Sequence, residues 1–419
     1  MFTSMGYFLK LIFMAKEYDI VFVSSAFFNR GEVGENLLLK PMIEYCNKNG
    51  LSYIIFEDTD LKGAYSKFNR NEKSIPFDVI SFVQIILRKT YNLKYKKPIT
   101  RDEVYLRELK VSKIVRKLFF KKFHSKVYIT LIWNNVTLWR CISPSACVID
   151  YQHGYISDGD EAHMKDGTPP KMKSANDVVA LVYGDRFKDI LIDNDKTGFY
   201  HEGNVINVGL YKNKTSEIKK RIPTNNKKIL FTLQITPDFL EEKVKVNELY
   251  IEIVEKLIDV NVDFLSKNNY EIIFRHHPRH NAINCQDLIL EYDFVSFDDK
   301  TPIIDLLGSI GLHMTFHSTS VFEAAMMGVP TIFIDMHERL SPNEIFLGQY
   351  EYPCKNWVIR DYEDFQKTLI ESEDKYIYDN CCSSVIKWSQ ELYHNFDESV
   401  FGDFLLDQIN SRKNDVVKG

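Results

Sequence analysis

Three neighbouring hydroxyl side chains, Ser318, Thr319 and Ser320, are the residues whose types and spacing best predict chemistry in this chain. They follow an apolar segment that reaches Thr315 and precede a short helical pattern. Ser and Thr oxygens cap helices, and the N–H groups at a helix start bind phosphate. Glu323, one turn later, is placed to bind the hydroxyls of a ribose attached to that phosphate. The segment predicts a nucleotide pocket, and the alternative is a capped βαβ crossover without a ligand.

A second candidate site follows the apolar segment 270–274. The next residues include Arg275, His277 and Pro278, and Pro278 ends the strand because proline cannot donate to a sheet ladder. The basic side chains are therefore expected at the carboxyl edge of a sheet, where ligands bind in open α/β folds. The alternative is a zinc site, which needs a further Cys, Asp or Glu at ligand spacing. None lies close by in the sequence, which favours an anion site without a metal.

These two segments resemble the C-terminal half of GT-B glycosyltransferases. The resemblance rests on the His277-Pro278 pair, on the hydroxyl triplet 318–320, and on a Glu-Ala-x-x-x-Gly-x-Pro pattern over residues 323–330. It extends to bacterial capsule and surface-polysaccharide enzymes, including sialyl- and Kdo-type transferases, in which the His-Pro and Ser/Thr elements hold the donor phosphate. Residues 150–154, Asp-Tyr-Gln-His-Gly, are similar to a motif of capsule and teichoic-acid polymer enzymes.

The resemblance implies an α/β protein of GT-B type, with two Rossmann-like domains whose parallel sheets face a central cleft. It implies a metal-independent glycosyltransferase with no cofactor. The donor would be a nucleotide-sugar, with a CMP-sugar slightly favoured over a UDP-sugar, and the acceptor a bacterial surface glycan or glycolipid such as capsule or lipopolysaccharide. Two alternatives stay open. One is a non-hydrolysing nucleotide-sugar 2-epimerase, which shares the fold and a similar Ser-rich turn, and the other is a non-catalytic module of a glycan assembly complex.

Transfer to a hydroxyl group needs a general base that removes its proton. His153 is the first candidate, because its strand ends there and Gly154 leaves the backbone open to approach. Asp158, Asp160 and Glu161 in the following loop are the alternatives, although this loop only approximates the acidic element of bacterial enzymes that use CMP-sialic acid. The plainer interpretation of His153 is a hydrogen-bonded turn residue.

The leaving phosphate needs positive charge and hydrogen-bond donors. By resemblance, Arg275, His277 and the hydroxyl groups of residues 318–320 would supply them. Thr232 and Gln234 follow the first strand of the second domain, at a position that contacts the donor phosphate in this fold. These residues complete the predicted donor site.

Strand patterns alternate with helix patterns along the whole chain, and the strands are continuous β-branched runs that favour parallel sheets covered on both faces. We expect an N-terminal acceptor-side domain over residues 1–211 and a polar, Lys-rich linker over 212–226. A nucleotide-sugar-binding domain should span 227–375. Helices within 376–419 should cross back to the first domain.

The composition is that of an intracellular enzyme. A length of 419 residues allows two domains with substantial cores, and the seven cysteines have no paired spacing, which predicts free thiols in a reducing, cytoplasmic compartment. The apolar segment 1–13 is too short to span a bilayer. It is interpreted as an over-extended gene start before Met14, a frayed helix or a weak membrane-surface anchor.

Residues 88–126 form a basic region with fourteen Lys or Arg and three acidic residues, a net charge of +11 in a chain of net charge −5. Aromatic and aliphatic residues are interleaved with the basic ones, as in an interfacial amphipathic helix. The region predicts attachment to the inner face of an anionic membrane or recognition of an acidic acceptor, and the plainer alternative is a solvated face. Nucleic acid is not favoured, because the whole chain is acidic and carries no binding motif.

Overall fold

The chain divides into two compact units. Unit 1 comprises Met1–Tyr211 together with Leu392–Gly419, and unit 2 comprises Lys212–Glu391. The computed structural model describes residues 6–9, 15–25, 34–58, 70–95, 97–98, 100–131, 135–157, 162–210, 226–233, 243–276, 291–337 and 341–412. The expected linker at 212–226 lies outside these residues except for its last position.

Unit 1 is built on a seven-stranded sheet. Its strands are β1 (Lys16–Ser25), β2 (Tyr53–Asp58), β3 (Ile75–Pro76), β4 (Phe123–Leu131), β5 (Cys147–Tyr151), β6 (Val179–Val182) and β7 (Val205–Asn207). They lie in the order β3-β2-β1-β4-β5-β6-β7, and every pairing between them is parallel. Residues 20–23 of β1 are all buried, because a central parallel strand is covered on both faces.

The helices of unit 1 connect successive strands of this sheet. They are α1 (Lys40–Lys48), α2 (Asp78–Lys94), α3 (Arg101–Phe119), α4 (Val136–Ile142), α5 (Lys171–Ser174) and α6 (Asp185–Asn194). A capping box begins α3: the Thr100 hydroxyl accepts from the Glu103 N–H, and the Glu103 carboxylate accepts from the Thr100 N–H. The basic region therefore includes the C-terminal part of α2, all of α3 and the start of β4.

An aromatic cluster forms much of the core of unit 1. Phe56, Phe77, Phe120 and Trp139 are each no more than 1% exposed, and the Phe56 and Trp139 rings stack at 5.9 Å. Phe8 is fully buried among them, with its ring centroid 5.8 Å from that of Phe56. The segment before β1 thus contributes a side chain to the core, which none of its three sequence interpretations included.

Unit 2 contains a second parallel sheet of six strands. The strands are β8 (Lys228–Thr232), β9 (Glu271–Arg275), β10 (Val295–Phe297), β11 (Leu312–Thr315), β12 (Thr331–Ile334) and β13 (Val358–Ile359). Their order is β10-β9-β8-β11-β12-β13. The helices are α7 (Lys243–Lys267), α8 (Ile303–Leu307), α9 (Ser320–Met326), α10 (Tyr362–Glu373) and α11 (Lys375–Leu392), with a π-helix at Asn343–Gln349. The order of the strands reverses between β8 and β11, which makes this pair the topological switch point of the sheet.

The last helix, α12 (Glu398–Ser411), belongs to unit 1. The ring of Phe401 lies edge-on to the Tyr45 ring of α1 at 5.5 Å. The expected start of the returning segment, residue 376, lies inside α11, which belongs to unit 2 as far as Glu391.

None of the described helices is both long enough and apolar enough to cross a membrane. Within the same residues, the cysteines are free thiols, namely Cys46, Cys141, Cys147, Cys354, Cys381 and Cys382.

Candidate functional site

Three neighbouring strands of unit 2 end in polar residues. Thr232 ends β8, Arg275 ends β9 and Thr315 ends β11, and β8 lies between the other two strands. In open α/β sheets, ligands bind beyond the carboxyl ends of the strands at the topological switch point. The β8–β11 edge is therefore the candidate ligand site of unit 2, and it includes the hydroxyl triplet predicted from the sequence.

A network of buried hydrogen bonds lies at this edge. The Thr232 Oγ1 atom is 2.9 Å from His313 Nε2 and 2.7 Å from Ser320 Oγ, and the other ring nitrogen of His313 is 2.9 Å from Thr331 Oγ1. His313 is fully buried, and desolvation lowers its pKa to about 3. The imidazole is therefore neutral at physiological pH, where it both donates and accepts a hydrogen bond.

The hydroxyl triplet lies between β11 and α9, where the sequence places it. The Ser318 Oγ atom accepts from the Ser320 N–H at 3.3 Å, and Thr315 Oγ1 accepts from the Ser318 N–H at 3.2 Å. Thr319, at the N-cap position, has helical backbone angles and makes no capping bond. Ser318 and Ser320 are buried, whereas Thr319 is half-buried. Of the three hydroxyl residues, Ser318 therefore provides the expected cap, because its oxygen accepts from the first N–H of α9.

The residues predicted to bind the donor differ in burial and in the hydrogen bonds that they make within unit 2. Thr232 is 4% exposed and Ser320 is 6% exposed, and both are already bonded within the network around His313. Glu323 is half-buried on α9. This arrangement makes Thr319 and Glu323 more accessible to a ligand than the two network residues.

Arg275 is anchored at the end of β9. Its Nη1 atom donates to the carbonyl oxygens of Asp298 at 2.9 Å and Thr301 at 2.6 Å, and burial lowers the pKa of the guanidinium. These bonds fix the loop that follows β10. A phosphate would have to bind the remaining N–H groups of Arg275.

His276 is a further polar residue at this edge, where the sequence predicted basic side chains but assigned no donor contact to this one. Its Nδ1 atom is 2.8 Å from Asp299 Oδ2, and the Asp299 Oδ1 atom accepts from the His276 N–H at 2.7 Å. The imidazole stacks on Phe297, with ring centroids 4.8 Å apart and an interplanar angle of 9°. A carboxylate at Nδ1 fixes the orientation of the ring and leaves Nε2 as the atom that can contact a ligand.

Gln152 shapes the turn after β5 in unit 1. Its Oε1 atom accepts from the Tyr183 N–H at 2.8 Å, and its Nε2 atom donates to the Gly154 carbonyl at 2.7 Å. The Tyr183 hydroxyl also donates to the Gln152 carbonyl. Gly154 has φ of 79°, a left-handed conformation that glycine adopts without strain. These contacts hold His153, which is half-buried, at the carboxyl edge of the sheet.

A buried ion pair lies directly before this turn. Lys173 Nζ of α5 is 2.6 Å from Asp150 Oδ2 of β5, and the two side chains are 1% and 3% exposed. Such a pair is costly to desolvate and depends on good geometry. Sequence reasoning missed Lys173, because its 23-residue separation from Asp150 carries no local signal.

Six predicted site residues lie outside the described part of the chain, namely Asp158, Asp160, Glu161, Gln234, His277 and Pro278. Among the residues that are described, no group of three or more His, Cys, Asp or Glu could hold a metal ion.

Comparison with known proteins supports the fold assignment. No protein-family model and no curated protein sequence matches the chain. Among solved structures, it is similar to S. aureus MnaA in complex with UDP, with 14% identity, coverage of 94% of this chain and 97% of the other, and a TM-score of 0.54. A variant of the wall teichoic acid polymerase TagF is 13% identical, with 98% of each chain covered and a TM-score of 0.54.

A third similar structure is the UDP-GlcNAc 2-epimerase of Neisseria meningitidis bound to UDP-GlcNAc, with 11% identity, coverage of 94% of this chain and 100% of the other, and a TM-score of 0.52. At these identities the likeness establishes the fold. The chain is an α/β protein of the GT-B class, with two Rossmann-like units that each contain a parallel sheet.

Proposed function

We propose that this protein is a glycosyltransferase that moves a sugar from a nucleotide-sugar donor to a bacterial surface glycan. The observation that carries the proposal is the polar edge of unit 2, where Thr315 and Ser318 bond to each other at the switch point of a GT-B sheet and Arg275 ends the strand beside β8. Polar groups fixed before a ligand arrives stabilise developing charge without reorganisation. This edge is suited to the leaving phosphate of a nucleotide.

In this proposal, Thr319 and the remaining N–H groups of Arg275 contact the donor phosphate, and Glu323 accepts hydrogen bonds from the ribose. Hydrogen bonds between Thr232 and Ser320, and from Ser320 to Ser318, within the network around His313, fix the Ser318–Ser320 turn. The Nε2 atom of His276, whose ring orientation Asp299 fixes, adds a further phosphate contact. His277, Pro278 and Gln234 keep the donor-binding functions that the resemblance implies.

We assign the general base to His153, with Asp158, Asp160 and Glu161 as alternatives. The Gln152 side chain holds the turn through bonds to two backbone groups, which is the support that a base needs to keep a fixed position. His153→Ala is expected to lower kcat by about 100-fold or more while donor affinity stays unchanged. Unchanged turnover in this variant would transfer the assignment to Asp158, Asp160 or Glu161.

The donor is a CMP- or UDP-sugar. The sialyl- and Kdo-type resemblance of the motifs favours CMP, whereas the similar structures include proteins bound to UDP or UDP-GlcNAc. The same structures include 2-epimerases, which makes epimerisation of a UDP-sugar the second candidate function.

Mass spectrometry of the products separates the two functions. The protein is incubated with CMP-, UDP- and GDP-sugars, with and without a mixture of surface oligosaccharides. A glycosyltransferase releases nucleotide and extends an oligosaccharide only when both substrates are present. An epimerase produces no mass change, and deuterium incorporated from heavy water at carbon 2 of a UDP-sugar, without acceptor, would replace our proposal by the alternative.

We also infer that the protein acts in the cytoplasm, attached to the inner face of the membrane through α3. Leu106, Ile114 and Leu118 are 50%, 43% and 48% exposed, and Lys113 and Lys117 are exposed beside them. Leu106, Ile114 and Leu118 are separated by eight and four residues. Lys113 and Lys117 are four residues apart, so the apolar and the basic side chains form adjacent stripes along the exposed side of the helix. Aliphatic and basic side chains on one exposed face are suited to an anionic lipid surface.

A further inference from the structure

Unit 1 contains a cavity of about 440 Å³ that the proposed donor site and base do not use. Its walls come from α2, α3, α4 and α5, and its polar lining consists of Arg88, Arg107, Glu108, Ser112, Asn135 and Thr137. The volume falls within the range of small-molecule pockets. Apolar side chains complete the lining, so the cavity offers both apolar and charged contacts.

Two guanidinium groups share one carboxylate in this cavity. Arg88 donates to Glu108 from Nε at 3.0 Å and from Nη2 at 2.7 Å, and Arg107 donates to it from Nε at 3.0 Å, with Nη2 at 2.9 Å from the same carboxylate. Glu108 neutralises only one of the two positive charges. The lining therefore keeps one net positive charge.

Both arginines bind Glu108 through the same edge of the guanidinium, the one formed by Nε and Nη2. The other edge, formed by Nη1 and Nη2, is the one that binds carboxylate or phosphate end-on with two parallel hydrogen bonds. The Arg88 side chain is 33% exposed and that of Arg107 is 18% exposed, so both can be reached by a ligand in the cavity. Glu108 thus orients the two groups without using up their donors.

The cavity lies at the same edge of the sheet as the candidate base. Asn135 and Thr137 follow β4, His153 follows β5, and these parallel strands are neighbours with Leu131 opposite Tyr151. Neighbouring strands are about 5 Å apart. The α5 helix also links the two places, because Met172 lines the cavity and Lys173 pairs with Asp150.

We propose that this cavity is an acceptor subsite that binds a sugar unit carrying a carboxylate or a phosphate. The proposal rests on the proposed function, because it names the class of acceptor from which His153 would remove a proton. Arg88 and Arg107 bind the anionic group, Ser112 and Thr137 contact sugar hydroxyls, and the apolar lining packs against the ring.

The experiment measures binding of small probes to the full-length protein by saturation-transfer NMR and calorimetry. The probes are glucuronate and glucose 6-phosphate, with glucose as the neutral control and inorganic phosphate as the anion without a ring. We expect both anionic sugars to bind more tightly than either control. Equal binding of glucose, or no binding of the anionic sugars, would overturn the proposal.

Three variants test the residues. Arg107→Gln should weaken binding of the anionic sugars roughly tenfold or more, because it removes charge-assisted hydrogen bonds. Arg116→Gln removes the same charge from an exposed position of the same helix and should leave binding unchanged. Glu108→Gln should tighten binding, because it removes the competing carboxylate while keeping the size of the side chain.

The Glu108→Gln variant distinguishes the subsite from a structural role, because loss of structure weakens binding whereas the proposal expects tighter binding. A cluster that only fastens α2 to α3 predicts no gain in anion binding from this variant, and weaker or unchanged binding by a folded Glu108→Gln protein would contradict the subsite. Binding of UDP and CMP, measured in the same samples, reports on the donor site of unit 2. If the wild-type protein binds the anionic sugars but neither UDP nor CMP, the proposed donor site is refuted and the subsite stands.

Discussion

At the carboxyl end of β8, unit 2 buries neutral hydroxyl and imidazole groups, whereas at the carboxyl end of β5, unit 1 buries an ion pair. In unit 2, Thr232, Ser320 and His313 bond to one another within 3.1 Å. In unit 1, Lys173 and Asp150 are 2.6 Å apart. Neutral groups cost less to bury than charges do, provided that they are hydrogen-bonded.

The difference matches the two functions proposed for these edges. A donor phosphate brings its own charge, so the edge that receives it needs fixed dipoles more than further anions. The acceptor edge has to hold a base and an acceptor, and there the ion pair fixes α5 to β5 beside the His153 turn. Four predictions can break or sharpen this comparison.

The largest effect is expected from His313→Ala in unit 2. The change empties a fully buried site and leaves the hydroxyls of Thr232, Ser320 and Thr331 without their imidazole partner. We expect unit 2 to lose about 4 kcal/mol of unfolding free energy. Urea unfolding followed by tryptophan fluorescence measures it, with His124→Ala on the exposed side of β4 as the control. A loss below about 1 kcal/mol would mean that the network is not what supports the turn.

The second prediction concerns the ion pair of unit 1. Asp150→Ala removes the carboxylate from a buried ammonium group and should cost about 3 kcal/mol. The exposed pair of Lys375 and Asp379, in which the lysine side chain is 88% exposed, provides the matched control. Asp379→Ala should cost less than about 0.5 kcal/mol. Similar losses at both pairs would show that burial does not distinguish them.

The fold was accessible from the sequence because its signals are local. Continuous apolar runs predicted the central strands, and the hydroxyl triplet predicted the start of α9 within a residue. The Gln-His-Gly turn was found for the same reason, since its residues are consecutive. The GT-B assignment required only the order of these local patterns.

The remaining parts of the site depend on contacts between distant residues. His313 lies in an apolar strand, and its hydroxyl partner Thr232 is 81 residues away in the sequence. Contacts between distant residues also create the pairing of Lys173 with Asp150 and the cavity between four helices. Phe8 was missed because a short apolar segment has the same pattern whether it frays or enters a core.

The third prediction uses the pKa of His313. Its folded-state pKa is lowered to about 3, whereas an unfolded histidine has a pKa of about 6.5. Above pH 6.5 both states are neutral, and below it the unfolded state takes up a proton that the folded state does not. The contribution of His313 should therefore be lost as pH falls from 6.5 towards 3, by up to about 1.4 kcal/mol per pH unit.

Urea unfolding of unit 2 at pH 7, 6 and 5 checks this slope, since carboxylates titrate mainly below that range. His313→Gln keeps hydrogen-bonding groups but does not titrate. Its unfolding free energy should therefore depend less steeply on pH than that of the wild type, and the difference in slope should correspond to close to one bound proton. An unchanged slope in His313→Gln would show that the imidazole is not the group that titrates.

The smallest effect is expected on the exposed face of α3. Lys113→Ala and Lys117→Ala each remove one exposed charge, which near an anionic bilayer is worth about 1 kcal/mol. Each change should lower binding to phosphatidylcholine vesicles containing phosphatidylserine by about fivefold. Lys267→Ala on unit 2 is the control, because it removes an exposed charge from a different unit. Equal sedimentation of all three variants and the wild type would leave the basic face as a solvated surface.

Leu118→Ser separates lipid insertion from charge attraction on this face. If the 48% exposed Leu118 side chain enters the acyl boundary, the variant binds less tightly at every salt concentration, because burial of apolar area does not depend on screening. If the lysines act alone, Leu118→Ser binds like the wild type, and both lose binding in parallel as added salt shortens the Debye length. The first outcome would give unit 1 two charged surfaces with different purposes, since Arg88 and Arg107 would bind an anionic acceptor in the cavity while the exposed residues Ile114, Lys117 and Leu118 of α3 hold the lipid that carries it.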